Sequence, residues 1–169
     1  MGFKFLHLHL HGLIRSNRLE LGRDSDTGGQ TQYVLELVKS LANLFEVDQV
    51  DLVTRLINDS KIDNSYSKER EFIDPGAQIL RFQFGPNKYL RKELLWPYLD
   101  ELIQNLIQYY QKSENKPNFV HAHYADAGYV GVRLSQALQV PFIFTGHSLG
   151  REKKRKLLEA GLKLNQIER

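Results

Sequence analysis

The chain has 169 residues, of which 41% are hydrophobic and 25% are charged, a composition typical of one folded domain with a core. Its 23 basic and 20 acidic residues leave a net charge of +3, which is too balanced to indicate a nucleic-acid-binding protein. The sequence has no cysteine, which excludes disulfides, and no apolar run approaches the roughly 18 residues of a membrane span. We therefore expect a cytoplasmic protein that binds neither nucleic acid nor membrane.

The first predicted element is a strand from Phe3 to about His9. It places the imidazoles at positions 7, 9 and 11 on one side of an extended chain, and histidines in this spacing can bind zinc. The sequence places no further ligand to complete such a site, and Gly12 follows where the strand ends. We therefore predict no metal site and interpret His11 as a loop residue that faces a cleft.

A long polar loop then leads into a helical pattern that begins near Thr27. Apolar residues recur with helical spacing at positions 33, 34, 37, 38, 41, 44 and 45. Thr27 and Gln30 fit the S/T-x-x-Q capping box, which predicts a helix start within a residue or two of Thr27. Because a helix N-terminus presents unpaired N–H groups, and Gly28 and Gly29 let a ligand approach the backbone, this junction can hold a phosphate. The spacing matches neither the dinucleotide fingerprint nor the P-loop, so a purely structural turn is an equal alternative from these residues alone.

The rest of the chain alternates between strands and helices. Further strands are predicted at 49–54, 78–84, 118–123 and 141–145, and further helices at about 94–111, at about 126–138 and from about 151. Residues 55–76 are polar and without a period, and we interpret them as a surface excursion that includes a short hairpin or turn. The alternation predicts an α/β fold, Rossmann-like, with a mostly parallel sheet and helices on both faces.

Polar residues follow four of the predicted strands at their carboxyl ends, where open parallel sheets bind ligands. They are His11 with Gly28 and Gly29 after the first strand, Lys88 after the third, Tyr124 and Asp126 after the fourth, and His147 and Ser148 after the fifth. Because these carboxyl ends share one rim of the sheet, we expect the four groups to converge.

Five motifs, in order, give the chain a close resemblance to the sucrose-phosphate synthase family. They are HGLIR at 11–15, LGRDSDTGGQTQYVLEL at 21–37, FGPNKYLRKELLWPYL at 84–99, HAHYADAG at 121–128 and TGHSLGREK at 145–153. The resemblance implies a retaining glycosyltransferase of GT-B fold that transfers glucose from UDP-glucose to fructose 6-phosphate, without a cofactor or metal. It implies that residues 1–169 are the N-terminal, acceptor-side domain. The donor-binding domain is absent from them, so we expect no turnover by the chain alone.

The resemblance also implies how the phosphates are bound. Gly28 and Gln30 would contact the sugar phosphate, and Gly29 would present its amide to the donor diphosphate. Lys88 and Lys153 would hold the 6-phosphate of the acceptor, as point charges suited to a dianion.

For the sugars, the resemblance implies a second group of residues. Tyr124, Asp126 and Ser148 would line the fructose pocket. His147 would lie beside the transferred glucosyl unit and act as the catalytic residue, where it would stabilise developing charge. His11 would be a nearby cleft residue.

Two other functions remain open at this point. A sucrose synthase-like enzyme would use free fructose, but a neutral acceptor does not need the two cations Lys88 and Lys153. A non-catalytic module that binds sugar phosphates is the second alternative, because the donor half is missing. A Rossmann dehydrogenase is disfavoured because its glycine spacing is not present.

Overall fold

The computed structural model describes residues 2–148 and 150–161, and of residues 151–153 and 157 it describes the backbone only. The strands are β1 (Phe3–Leu8), β2 (Val47–Arg55), β3 (Arg70–Asp74), β4 (Ala77–Phe82), β5 (Phe119–His123) and β6 (Phe142–Thr145). The helices are α1 (Gly29–Ala42), α2 (Leu99–Lys112), α3 (Tyr124–Leu138) and α4 (Gly150–Glu159). Short 3₁₀ turns occupy Asn64–Ser67, Lys92–Leu94 and Trp96–Tyr98.

All six strands belong to one sheet, in the spatial order β3-β4-β2-β1-β5-β6. Every neighbouring pair is parallel except β3 and β4, which are antiparallel. The chain builds outward from β1 in one direction through β2 and β4, and then returns to add β5 and β6 on the other side. The switch point therefore lies between β1 and β5, where sheets of this kind form a ligand crevice beyond the strand ends.

Helices cover both faces of the sheet, which confirms the predicted α/β Rossmann-like fold. On one face, Leu6 and Leu8 of β1 belong to the larger hydrophobic cluster, which includes Leu106 of α2 and Val130 of α3. On the other face, α1 packs through residues such as Val34 against β2 and β4. Because successive residues of a strand point to opposite faces, the odd-numbered residues of β1 lie on the α1 face.

The first helix starts where the sequence predicts, but its cap is different. α1 begins at Gly29, and Gly28 before it provides no side-chain cap. The predicted capping box is wrong, because the hydroxyl of Thr27 accepts a hydrogen bond from the N–H of Leu13 (3.0 Å) and donates one to Asp24 (3.2 Å). This buried threonine joins two segments of the first loop instead of capping the helix.

The apolar face predicted for α1 is correct only in part. Val34 and Val38 are fully buried, but Tyr33 is 49% exposed and Phe45 is 99% exposed. Phe45 lies beyond the end of the helix at Ala42, and Tyr33 lies near the N-terminal end, where its ring packs against histidines of the rim.

Residues 55–76 contain a hairpin, as the sequence allows, but they are more than a surface excursion. β3 pairs with β4 through the turn at 75–76. Tyr66 is buried in a small cluster with Leu13 and Ile57, and Arg55 is also buried. The segment is therefore anchored to the loop that follows β1.

The second predicted helix begins later than the pattern suggests. Residues 92–98 form two 3₁₀ turns, and the α-helix starts only at Leu99. Among the described residues, the helices are too short or too polar to cross a membrane.

Candidate functional site

Loops from both sides of the switch point meet at the carboxyl-end rim of the sheet. The loop after β1 contacts the start of α3, since Nδ1 of His11 lies 2.9 Å from Oδ2 of Asp126. It also contacts the loop after β4, since the carboxylate of Asp26 accepts hydrogen bonds from both the backbone N–H (2.8 Å) and the side-chain amine of Lys92. The predicted groups that follow these strands therefore lie on one rim.

The loop between β1 and α1 is locked by backbone contacts of Gly12. This residue has a φ of +74°, and a Cβ built on it would lie 2.4 Å from the carbonyl oxygen of Asp26.

Burial raises the pKa of Asp26, but the hydrogen bonds and charge of Lys92 outweigh this effect and lower the pKa overall. Asp26 therefore remains an anion that ties two rim loops together.

The N-terminus of α1 is open to the cleft. Apart from the adjacent residues and the backbone of the helix itself, no atom lies within 4 Å of the place where a Cβ would stand on Gly28 or Gly29. The side chain of Gln30 turns back towards β1, with its Nε2 3.0 Å from Nδ1 of His9. An anion can therefore approach the backbone at the two glycines, close to the positive end of the helix dipole.

Asp126 is placed differently from what its predicted role requires. It is 1% exposed, and its Oδ2 is engaged with His11 while Oδ1 accepts from the N–H of Ala127. Its carboxylate therefore positions His11, whose ring lies 4.9 Å from that of Tyr124. Tyr124, the first residue of α3, is half-buried and therefore more accessible than Asp126.

Lys88 is exposed at the turn after β4, and the shape of that turn depends on Arg55. The buried guanidinium of Arg55 donates hydrogen bonds to three carbonyls of the turn, those of Phe84 (3.2 Å), Pro86 and Lys88 (2.9 Å). One planar cation thus holds the backbone of this turn at three alternate carbonyls, a task that suits the fork of donors on arginine.

Replacement of Arg55 by lysine is expected to release this turn. Lysine keeps the charge but cannot reach three carbonyls at once, so we expect the free energy of unfolding to fall by about 2–4 kcal/mol. Hydrogen exchange of the amides of Asn87 and Lys88 should become faster, and urea denaturation measures the stability. Arg70→Lys, at an exposed arginine of β3, is the matched control; equal effects of the two substitutions would contradict the role given to Arg55.

A chain of imidazoles runs from the core to the rim. Nδ1 of His7 lies 3.1 Å from Nε2 of His123, whose own Nδ1 lies 3.0 Å from Nε2 of His147. Burial lowers the pKa of His7 to about 3 and that of His123 to about 2, with neighbouring histidines adding to both shifts. Burial, together with the charge of His11, also lowers the pKa of His147. These rings are therefore neutral at pH 7.

Two rim residues have unusual backbone conformations. Tyr124 has a φ of +76° and His147 a φ of +55°, in the left-handed region of backbone conformation that residues other than glycine rarely adopt. Such conformations cost roughly 1–3 kcal/mol each and concentrate at functional sites. Their presence just after the carboxyl ends of β5 and β6 favours a functional rim over a purely structural one.

The remaining predicted site residues are placed as follows. Ser148 is exposed, next to His147, and its N–H donates to the carbonyl of Gly146 (2.6 Å). Lys153 belongs to α4, but its side chain lies outside the described residues.

Several residues of the site were missed by the analysis of the sequence. These are the positioning residues Asp26, Arg55, Lys92, His9 and His123. The motif strings contain Asp26, Lys92 and His123, while His9 follows the first strand and Arg55 ends the second, but their contacts span 21 to 66 positions of the chain. No local spacing indicates such partners.

Comparison with known proteins agrees with the fold and the motifs. A family model described as a glycosyl transferase 4-like domain matches residues 28–166. The chain is 41% identical to the probable sucrose-phosphate synthase 2 of Arabidopsis thaliana, over 95% of this chain and 18% of that protein. It is 42% identical to the sucrose-phosphate synthase of Spinacia oleracea, over 91% of this chain and 17% of that protein.

A solved structure supports the same relationship. The sucrose-phosphate synthase of Thermosynechococcus elongatus aligns with a TM-score of 0.75 and 27% identity, over 90% of this chain and 35% of that one. The resemblance predicted from the five motifs is thereby confirmed. The chain spans less than a fifth of the length of these curated relatives.

Proposed function

Because the chain belongs to the glycosyl transferase 4-like family, we propose that residues 1–169 form the acceptor-side domain of a retaining glucosyltransferase. The proposed reaction transfers glucose from UDP-glucose to fructose 6-phosphate and yields sucrose 6-phosphate and UDP. The donor-side domain is not among these residues, so the chain alone binds substrate without turnover. The observation that carries the proposal is the open N-terminus of α1 at Gly28 and Gly29, on the same rim as a neutral His147.

The anionic parts of the substrates have natural partners on this rim. The backbone at Gly28 and Gly29 offers room and N–H groups for phosphate oxygens, and the helix dipole favours their charge. The exposed Lys88 supplies a cation after the carboxyl end of β4. In the proposal, Lys88 and Lys153 bind the 6-phosphate, Gly28 and Gln30 contact the same phosphate, and Gly29 contacts the donor diphosphate.

His147 is the proposed catalytic residue. In a retaining transfer the UDP leaves as the acceptor hydroxyl attacks from the same face, so stabilisation of developing charge matters more than a protein nucleophile. A neutral imidazole can donate one hydrogen bond to that charge, and the contact between its Nε2 and His123 leaves Nδ1 for the substrate. Tyr124 and Ser148 are proposed to line the fructose pocket, while Asp126 orients His11 at its edge.

Alanine at Gly29 tests the proposal without disturbing the fold. The position is open, so we expect the free energy of unfolding to stay within about 1 kcal/mol of the wild type. We expect the affinity for UDP-glucose to fall about tenfold or more, because the new Cβ occupies the space of the donor diphosphate. Nuclear magnetic resonance titration measures the affinity and urea denaturation the stability. Ser40→Ala, at an exposed position of the same helix, is the control and should change neither; unchanged affinity in Gly29→Ala would contradict the proposal.

The choice of acceptor is tested by titrating the chain with fructose 6-phosphate and, separately, with fructose. We expect chemical-shift changes near Gly28, Lys88 and Tyr124 with the phosphate ester only. Equal responses to both sugars would favour the use of free fructose. Sustained release of UDP from UDP-glucose by this chain alone would contradict the assignment as an acceptor-side domain.

A further inference from the structure

A cluster of three histidines on β1 and β5 lies on the α1 face of the sheet, on the core side of the rim. His7 of β1 pairs in register with His121 of β5, and His123 is the next residue of β5 on the same face. One ring nitrogen from each of the three histidines lies within 4.8 Å of the others. The proposed transfer reaction does not use His7 or His121.

The spacing of these nitrogens suits a single metal ion. In a tetrahedral zinc site with Zn–N bonds of about 2.0–2.1 Å, two ligand nitrogens lie roughly 3.3 Å apart. Nδ1 of His7 and Nε2 of His123 are 3.1 Å apart, already close to that value. The third ring, His121, lies 4.9 Å from His7 and 4.2 Å from His123 between ring centroids.

The outer nitrogens of two of these rings have partners of the kind that metal ligands have. Nε2 of His121 lies 2.8 Å from the hydroxyl of Thr145, and Nδ1 of His123 lies 3.0 Å from Nε2 of His147. Metal-bound histidines commonly donate their second N–H to such a partner, which fixes the tautomer and the orientation of the ring. The inner nitrogens, Nδ1 of His121 and Nε2 of His123, are then those that can face an ion.

The cluster is otherwise difficult to explain as a hydrogen-bonded core. His7 is fully buried, and its Nε2 has no hydrogen-bond partner among the described residues. An unpaired buried polar atom lowers folding stability by roughly 1–3 kcal/mol, so three neighbouring imidazoles fill this space less favourably than apolar side chains would. Since the pKa values of all three are lowered by burial, the rings are neutral and their lone pairs are available at pH 7.

We propose that His7, His121 and His123 form a binding site for a transition-metal cation of the zinc class. Three imidazole ligands select Zn²⁺, Co²⁺, Ni²⁺ or Cu²⁺ over Mg²⁺ and Ca²⁺, which prefer oxygen. The site joins β1 to β5 at the switch point. A cation on Nε2 of His123 also fixes the N–H on its Nδ1, so that His123 donates to Nε2 of His147 and orients that ring.

This inference departs from the expectation of no metal drawn from the sequence. The spacing in the first strand draws attention to the histidines at 7, 9 and 11, but His9 contacts Gln30 and Thr31 and His11 contacts Asp126. The additional ligands come from β5 instead.

The test uses the untagged 169-residue chain after dialysis against a chelator. Calorimetric titration with Zn²⁺ should show one equivalent bound, and Co²⁺ should develop the intense visible absorption of a tetrahedral site. Titration with Mg²⁺ should show no binding. We expect His7→Gln and His121→Gln to lower the affinity for Zn²⁺ at least tenfold. His147→Gln should lower it less, because that ring acts on the ion only through His123.

His9→Gln is the matched control, since His9 is buried on the same strand but contacts α1, and it should keep the affinity and the Co²⁺ spectrum. Circular dichroism in the presence of chelator checks that each variant is folded. Uptake of Co²⁺ by the wild type without tetrahedral bands would overturn the proposal. So would His7→Gln and His121→Gln variants that bind Zn²⁺ as tightly as His9→Gln. No measurement here involves substrate, so the result is independent of the proposed function.

Discussion

Replacement of Gly12 by alanine is expected to lower the free energy of unfolding by about 2–5 kcal/mol. Two costs add at this position: a φ of +74°, which disfavours any residue with a Cβ, and a Cβ only 2.4 Å from the carbonyl oxygen of Asp26. The clash is with backbone, which cannot move aside as a side chain can. The two halves of the first loop must therefore separate, and urea denaturation should show an earlier midpoint.

Gly22→Ala is the matched control for this prediction. Gly22 lies in the same loop with a φ of +80°, but apart from the two adjacent residues no atom lies within 4 Å of the position of its added Cβ. This variant therefore measures the effect of the positive φ alone, and we expect it to lower the free energy of unfolding by about 1–2 kcal/mol. Because Asp26 also holds Lys92, the Gly12 variant should in addition weaken the binding of sugar phosphate, whereas Gly22→Ala should not. Equal losses of stability in both variants would contradict the packing described for Gly12.

The second large expected effect is a loss of folding stability at acidic pH. His7 and His123 have pKa values lowered to about 3 and about 2 in the folded chain, against 6.5 when unfolded. Below pH 6.5 the unfolded chain takes up protons that the folded chain does not, so stability is present at pH 7 and falls as the pH decreases. Each group contributes about 1.4 kcal/mol per pH unit in this window, or about 4 kcal/mol for the two between pH 7 and pH 5. The neighbouring His9, His121 and His147 also have lowered pKa values and act in the same direction.

Urea denaturation at pH 7, 6 and 5, in the presence of a chelator, measures this dependence. His7→Gln should remove about 2 kcal/mol of the loss between pH 7 and pH 5, because one proton-linked group is gone. The change with pH is the readout, so any direct destabilisation by the substitution does not affect the comparison. Stability that stays level over this range would show that the buried histidines are already protonated in the folded chain or are not buried.

Much of the architecture could be predicted because it depends on local patterns. Apolar runs bounded by glycine and proline identified the strands, and the alternation with helices placed His11, Lys88, Tyr124 and His147 at one rim. The same reasoning failed for Thr27, whose spacing to Gln30 fits a capping box. A tertiary donor, the N–H of Leu13, competes for the hydroxyl, and a pattern four residues long contains no information about it.

The lateral contacts of the site could not be predicted for a related reason. His7 lies beside His121 because β1 and β5 are neighbours in register, although 114 positions separate them. Asp126 looked suited to a sugar hydroxyl, but in a buried position a carboxylate needs a hydrogen-bond donor, and His11 meets that need. Side-chain chemistry at a strand end can be read from the sequence, whereas the partner across the sheet cannot.

The imidazole chain from His7 through His123 to His147 gives this rim a spectroscopic signal of its own. In the metal-free chain each link holds an N–H proton between two ring nitrogens about 3 Å apart, and the inner link is buried while the outer link is part-buried. Protons in such links resonate downfield of the amide region, and the inner one, between His7 and His123, exchanges more slowly with water because it is buried. A molecule that contacts His147 changes the electron density at the outer link first and at the inner link only through His123. The order in which the two resonances move on titration therefore reports the direction from which a ligand enters, without any label added to the chain.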